Sequence, residues 1–173
     1  MEPSTPVVGV DLGGTSLLAA VVDVAGNILA KSKRKTRAEL GADAIVNRVA
    51  EAVSSALSQA GLKRSEVLGL GVGVPGPVNP ADGVVVRCAN LGASWDGYPL
   101  ATSLSEALGG LAVTVDNDVN VGAVGEHTYG AGRGVDDMLA IFVGTGIGGG
   151  LILGGSLRAG ARFSAGEVGH MDL

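Results

Sequence analysis

Cysteine is nearly absent from this chain: Cys88 stands alone among 173 residues. No disulfide can close within it, and no thiolate zinc cage can be built from it. Aromatic residues are equally scarce, with one Trp, two Tyr and two Phe, so a base-stacking platform for single-stranded nucleic acid is not available. Positive charge is in deficit, 12 Lys and Arg against 17 Asp and Glu for a formal net charge of −5. No general attraction to nucleic acid or anionic lipid follows from that balance. No apolar run approaches the ~20 residues of a membrane span, and Glu2-Pro3-Ser4-Thr5-Pro6 opens nothing like a signal peptide. The expectation is a soluble, cytoplasmic α/β protein with no nucleic acid and no membrane.

Glycine and small apolar residues fill the space those absences leave. There are 30 Gly, and 46% of residues are hydrophobic, ample for a core. The Gly have no triplet period, which excludes collagen. They gather in short clusters between apolar runs, where each carries an entropic cost that calls for a reason.

The runs predict an α/β fold. Val7–Val10, Leu17–Val24 and Asn27–Lys33 are apolar or alternating, and Ala25-Gly26 marks a hairpin turn, so the chain opens with three antiparallel strands. Ile45, Val49, Val53, Ala56 and Leu57 recur at helical spacing within 42–60, with Gly61 as a stop. Strands are expected over Val67–Val74, Val84–Arg87, Ala112–Val115, Met138–Val143 and Leu151–Leu153, with helices over Leu100–Leu108 and Val119–Tyr129. No internal repeat is visible. A domain junction is placed near Asp116–Asn120, giving a lobe over 1–116 and the start of a second over 117–173. Lys31-Ser32-Lys33-Arg34-Lys35-Thr36-Arg37 holds five of the twelve cations and reads as a solvated strand end and loop.

Two clusters contain G-x-G-x-x-G. In Gly71-Val72-Gly73-Val74-Pro75-Gly76, Pro75, Pro77 and Pro80 prevent the helix a dinucleotide site needs; the better account is a tight strand exit or a turn bringing backbone near a ligand. Gly144-Thr145-Gly146-Ile147-Gly148-Gly149-Gly150 is followed by a strand, and reads as a turn with consecutive free N–H groups, an anion nest. A plain hairpin needs two or three Gly; five in seven with a Thr hydroxyl favour phosphate. Asp11-Leu12-Gly13-Gly14-Thr15 lies between the first two strands, where Gly13 and Gly14 admit a phosphate, Thr15 donates a hydroxyl and Asp11 can hold Mg²⁺ through water. No G-x-x-x-x-G-K-[ST] occurs, which excludes the P-loop class. Asp116-Asn117-Asp118-Val119-Asn120 crowds polar groups at a strand end. One of them suffices for a helix cap; two carboxylates so close can couple, one acting as proton acceptor. Gly166-Glu167-Val168-Gly169-His170 adds a carboxylate and an imidazole.

Taken in order, DLGGT (11–15), GVGVPGPV (71–78), NLGASW (90–95), DNDVN (116–120), GTGIGGG (144–150) and GEVGHM (166–171) resemble the ROK family of bacterial sugar kinases and sugar-responsive repressors. The resemblance covers essentially the whole chain. It implies two actin-like (RNase H-like) α/β lobes, the second incomplete, with ATP and sugar in the cleft of such a fold. It implies Asp118 as general base, Gly9, Asp11, Gly13, Gly14, Thr15, Ser16 and Gly144, Thr145, Gly146, Gly148, Gly149 as phosphate-binding residues, and Gly76, Asn90, Asn117, Asp118, Glu167 and His170 as sugar-binding ones. His170 would also be the first ligand of a structural Zn²⁺, beside Asp11 with Mg²⁺. The expected activity is ATP-dependent phosphorylation of a hexose, glucose at O6 foremost, with fructose, mannose or an N-acetyl amino sugar as alternatives. A homodimer or homotetramer is expected at full length.

Three departures qualify the resemblance. Ser16 stands where Lys or Asn is usual, and Asp116 where Glu is usual. The family's CxCGxxGC zinc motif and its adenosine-binding part do not occur in this chain, which resembles the N-terminal half of a kinase and is expected to be inactive alone. A sugar-sensing repressor is the other reading; those members carry a helix-turn-helix domain ahead of the first phosphate motif, and ten residues precede Asp11 here.

Overall fold

The computed structural model describes residues 5–88, 90–144 and 146–171, with His170 described by its backbone alone. Two compact units divide the chain, Met1–Asp116 and Asn117–Leu173.

In the first unit, strands β1 (Val7–Leu12), β2 (Ser16–Val22) and β3 (Ile28–Lys35) follow one another antiparallel. The β2–β3 hairpin closes on Asp23, whose Oδ1 accepts the N–H groups of Ala25 and Asn27 at 2.9 and 2.8 Å; these donors hold its carboxyl below the usual range, the Asn27 side chain foremost. Helix α1 (Ala42–Gln59) leads to β4 (Leu70–Val74), which pairs parallel to β1. After short β5 (Val78–Asn79) and β6 (Val84–Val85), helix α2 (Leu100–Ala107) precedes β7 (Val113–Asn117). The sheet order is β3-β2-β1-β4-β7.

Alternation decides which face is covered. Val8, Val10 and Leu12 of β1 and Leu17, Ala19 and Val21 of β2 are buried in the same core as Ile45, Val49, Ala52, Val53 and Ala56 of α1. Each fully buried aliphatic there contributes roughly 1.5–3 kcal/mol, so α1 is held by its apolar stripe more than by propensity. Trp95, fully buried, lies 5.4 Å from the ring of Tyr98, whose hydroxyl donates to Asp43 Oδ1 on α1 at 2.7 Å. That contact ties the 90–98 loop, and Asn90 with it, to the helix.

The second unit begins with α3 (Asp118–Tyr129), then β8 (Met138–Val143), β9 (Ile147–Leu153) and β10 (Ser156–Leu157), ordered β10-β9-β8. Both units therefore contain three successive antiparallel strands in which the second lies between the first and third. This repeat is topological; only a turn between apolar strands marks it in the sequence. β8 is an edge strand, and its Leu139, Ile141 and Val143 are 47%, 55% and 79% exposed.

Several expected boundaries move, among them three of the strand limits. The strand expected from Val67 begins at Leu70, because Arg64–Glu66 forms a 3-10 turn closed by Glu66 Oε2 accepting the Lys63 N–H at 2.8 Å. The third strand runs on to Lys35, which pairs with Ser16. The last long strand begins at Ile147, so the glycines expected in a turn lie in a ladder.

Candidate active site

Within the first unit, the Asp11–Ser16 segment is a tight turn: the Gly13 N–H donates to the Ser16 carbonyl at 3.0 Å. Neither Gly13 nor Gly14 has a positive φ, so backbone freedom is not what they supply. Closeness is. A Cβ on Gly14 would lie 3.1 Å from the Asn90 carbonyl oxygen, and one on Gly13 would lie 3.1 Å from the Ser16 oxygen. The fold thus brings Asn90, from the loop pinned by Tyr98, against the glycine turn. Gly9 is different, since a Cβ there would meet nothing within 4 Å. Asp11 sits two residues on, exposed, on the sheet face opposite α1.

The end of β3 completes this corner. Thr36, fully buried, donates its hydroxyl to the Gly13 carbonyl at 2.6 Å, and its N–H donates to the Thr15 carbonyl at 2.9 Å. Arg48 of α1 places Nε and a terminal nitrogen on the Lys35 carbonyl at 3.1 and 2.7 Å. An open depression of about 510 Å³ results, lined by Gly14, Thr15, Lys35, Arg37, Ala38 and Glu39. Thr36, Lys35 and Arg37 are the residues that sequence reasoning missed, because the basic run reads as solvated until strand pairing places its end beside the turn.

Within the second unit, Asn117 caps α3: its Oδ1 accepts the Val119 and Asn120 N–H groups at 3.0 and 3.1 Å. Asp118 is the helix's first residue, half-buried, with Oδ1 accepting the Val119 N–H at 2.9 Å. Burial pushes its carboxyl above the ordinary range, against the opposing pull of the backbone donors. The glycines of β9 let three segments meet. A Cβ on Gly148 would lie 2.8 Å from Val119 Cγ2, and one on Gly149 would strike the Gly166 carbonyl. Gly166, at φ 88°, returns that contact, and Gly169 abuts the Ile147 carbonyl. The elements carrying Asn117, Asp118 and Glu167 therefore converge on the first half of β9.

Several expected site residues acquire other roles. Gly148 and Gly149 pair with Phe142 and Ile141 of β8, so they serve close packing within a ladder and not a run of free N–H groups. Before β9, the Gly144 N–H donates to the Gly146 carbonyl at 2.8 Å and both glycines face open space. Gly76, at φ 90°, abuts the Arg87 carbonyl, which accounts for it by a close approach between two loops. Thr145 and the His170 side chain lie outside the described residues.

Metal chemistry divides two ways. Among the described residues no group of three or more His, Cys, Asp or Glu could hold a metal ion, and Cys88 is buried. Among the described residues no zinc cage is assembled. Mg²⁺ fits, since it needs only one or two carboxylates with phosphates and water completing its shell, and Asp11 is exposed beside the glycine turn. No helix of the described residues is long and apolar enough to cross a membrane.

Residues 7–173 match the ROK family. The chain belongs to that family. It is 38% identical over 166 residues to a glucokinase of Halalkalibacterium halodurans, covering 96% of this chain and 49% of that protein. A ROK family glucokinase from Streptomyces griseus, in complex with glucose and AMPPNP, superposes with a TM-score of 0.85 at 38% identity over 96% of this chain and 50% of that one. A xylose repressor of Caldicellulosiruptor bescii is 29% identical over 167 residues, 96% of this chain and 41% of the repressor. The ROK chain thus has the actin-like α/β fold of the ROK sugar kinases. It spans about half the length of the curated relatives it matches.

Proposed function

We propose that this ROK chain supplies the first phosphate turn, part of the sugar site and the general base of an ATP-dependent hexose kinase. The observation that carries the reading is Asp118, a half-buried carboxylate at the start of α3 whose proton affinity is raised by burial. In phosphoryl transfer the protein mainly positions the reactants and stabilises charge, and one group must accept the nucleophile's proton. A carboxylate shifted toward neutral pH is a better acceptor than an ordinary one.

The hexose hydroxyl attacks the γ-phosphorus of ATP, its proton passes to Asp118, and ADP departs with the electrons of the broken P–O bond. Asn117 and Glu167, on elements that converge with Asp118, orient sugar hydroxyls; the family resemblance assigns Asn90 and His170 to sugar binding as well. The Gly13–Ser16 turn, including Thr15, and the 144–146 turn receive phosphate oxygens. Asp11 would hold Mg²⁺, which neutralises charge on the phosphates. Glucose at O6 is the first candidate substrate, supported by the glucokinases among the relatives. The lobe boundary at 116/117, assembly as a dimer or tetramer, and inactivity of the isolated chain belong to the same reading.

A sugar-sensing regulator is the second reading, favoured by the xylose repressor among the relatives. A coupled assay on the complete gene product with glucose, mannose, fructose and N-acetyl amino sugars separates the two. Sugar-dependent ADP formation, abolished by Asp118→Asn, supports the kinase. Sugar binding without turnover, with Asp118→Asn indistinguishable from the parent, contradicts it and favours the regulator.

A further inference from the structure

Arg37 follows the end of β3 in a conformation that arginine rarely adopts. Its φ of 58° and ψ of 61° are left-handed, a region where an L side chain crowds the backbone and glycine or asparagine is favoured. The conformation is held from both sides. The preceding Thr36 is buried and bonded twice to the glycine turn, and the Leu40 N–H donates to the Arg37 carbonyl at 3.0 Å. Neither packing nor pairing accounts for an arginine here. The residue is exposed, and among the described residues its side chain makes no ion pair or hydrogen bond, with nearby Glu39 or any other group. Strain kept at a residue whose side chain has no structural partner points to a function for that side chain.

Its surroundings identify the ligand chemistry. Consecutive Cα atoms lie about 3.8 Å apart, so Arg37 stands one residue from Thr36, whose N–H is on the Thr15 carbonyl at 2.9 Å. Arg37 also lines the depression with Gly14, Thr15 and Lys35. A guanidinium is a planar fork that grips two oxygens of one phosphate, where an ammonium offers a point charge. We propose that Arg37 is a further nucleotide-binding residue, its guanidinium taking phosphate oxygens of ATP seated on the Gly13–Ser16 turn. The proposal rests on the reading of that turn as a phosphate site, and adds to it a cation from outside the turn. The left-handed bend is the device: it carries the chain from β3 into the 38–40 turn while Arg37 stays on the rim beside Thr15.

Calorimetry of Mg-ATP binding to the complete gene product, with thermal unfolding of the same variants, tests this. Arg37→Gly relieves the left-handed strain and removes the guanidinium, so it separates the two effects. It is expected to melt no lower than the parent and to bind Mg-ATP more weakly by about 10-fold or more. Arg37→Lys keeps the charge without the fork and should recover only part of that loss. Lys33→Gln removes an equal charge outside the depression and should leave Mg-ATP affinity within about 2-fold of the parent. Glucose affinity should not change in any of the three. Unchanged Mg-ATP affinity in Arg37→Gly overturns the proposal, as does an equal loss in Lys33→Gln or a parallel loss of glucose affinity. Gly14→Val isolates the underlying reading. If it weakens Mg-ATP binding and Arg37→Gly does not, the turn is the phosphate site and Arg37 is no part of it. If Arg37→Gly weakens binding and Gly14→Val does not, the turn reading fails and Arg37 stands as a phosphate contact. A parent that binds no Mg-ATP overturns both.

Discussion

The Thr36 hydroxyl donates to the Gly13 carbonyl at 2.6 Å, from a residue with no solvent exposure. A residue just past the end of β3 thereby fixes the carbonyl that opens the glycine turn. Thr36→Val keeps the shape and removes the donor, leaving a part-buried acceptor unpaired at a cost of about 1–3 kcal/mol. The expected result in urea denaturation is a midpoint shift of that size, with Thr36→Ser close to the parent. Equal stability of the Val variant would mean that water replaces the bond.

Glycines in β9 and in the adjoining turn should respond in opposite ways. A Cβ on Gly150 would strike Ala123 of α3, whereas one on Gly146 would meet nothing within 4 Å. Gly150→Ala is expected to cost about 1–3 kcal/mol through overpacking, and Gly146→Ala to stay within about 0.5 kcal/mol of the parent. Thermal denaturation of the pair measures whether β9 is glycine-rich for packing or for a ligand.

Asp118 carries a pH signature with a definite sign. Its carboxyl is raised by burial in the folded chain, so the folded state holds the proton more tightly than the unfolded state does. The group is therefore neutral to stability below the unfolded carboxylate range, and destabilising once pH rises above the folded value. Asp118→Asn is expected to raise the midpoint of thermal unfolding at pH 7, with the difference shrinking toward zero near pH 3. A difference that grows on acidification would contradict the burial argument.

Self-association is expected at β8. Leu139, Ile141 and Val143 are exposed on an edge strand, the arrangement that templates pairing with another chain. Size exclusion of this chain should show concentration-dependent larger species, reduced by Ile141→Lys. A concentration-independent monomer would contradict this.

Strands and helices with strong periodicity were legible in the sequence: Val7–Val10, within the strand that runs on to Leu12, the α1 stripe from Ile45 to Leu57, and Met138–Val143 all lie where the pattern places them. The motif order also sufficed to read the family. What the pattern could not carry was spatial proximity. Nothing in Lys31–Arg37 announces that pairing with β2 sets Lys35 beside Ser16 and Thr15. The Gly148-Gly149-Gly150 run was read as a turn and lies in a ladder for a related reason: glycine for ligand approach and glycine for helix-on-sheet packing are the same letter. Gly76 is a third case, set against the Arg87 carbonyl from a loop eleven residues on.

The central claim is that Asp118 takes the proton of a phosphorylated sugar hydroxyl. Steady-state formation of ADP by the complete gene product, with glucose and Mg-ATP, tests it most directly when parent and Asp118→Asn are compared at equal thermal stability. The account predicts glucose-dependent turnover in the parent and a loss of about 10²–10⁴ in kcat in the variant, with little change in glucose affinity. A variant that turns over as fast as the parent, or a parent that forms no ADP with any hexose, would contradict it.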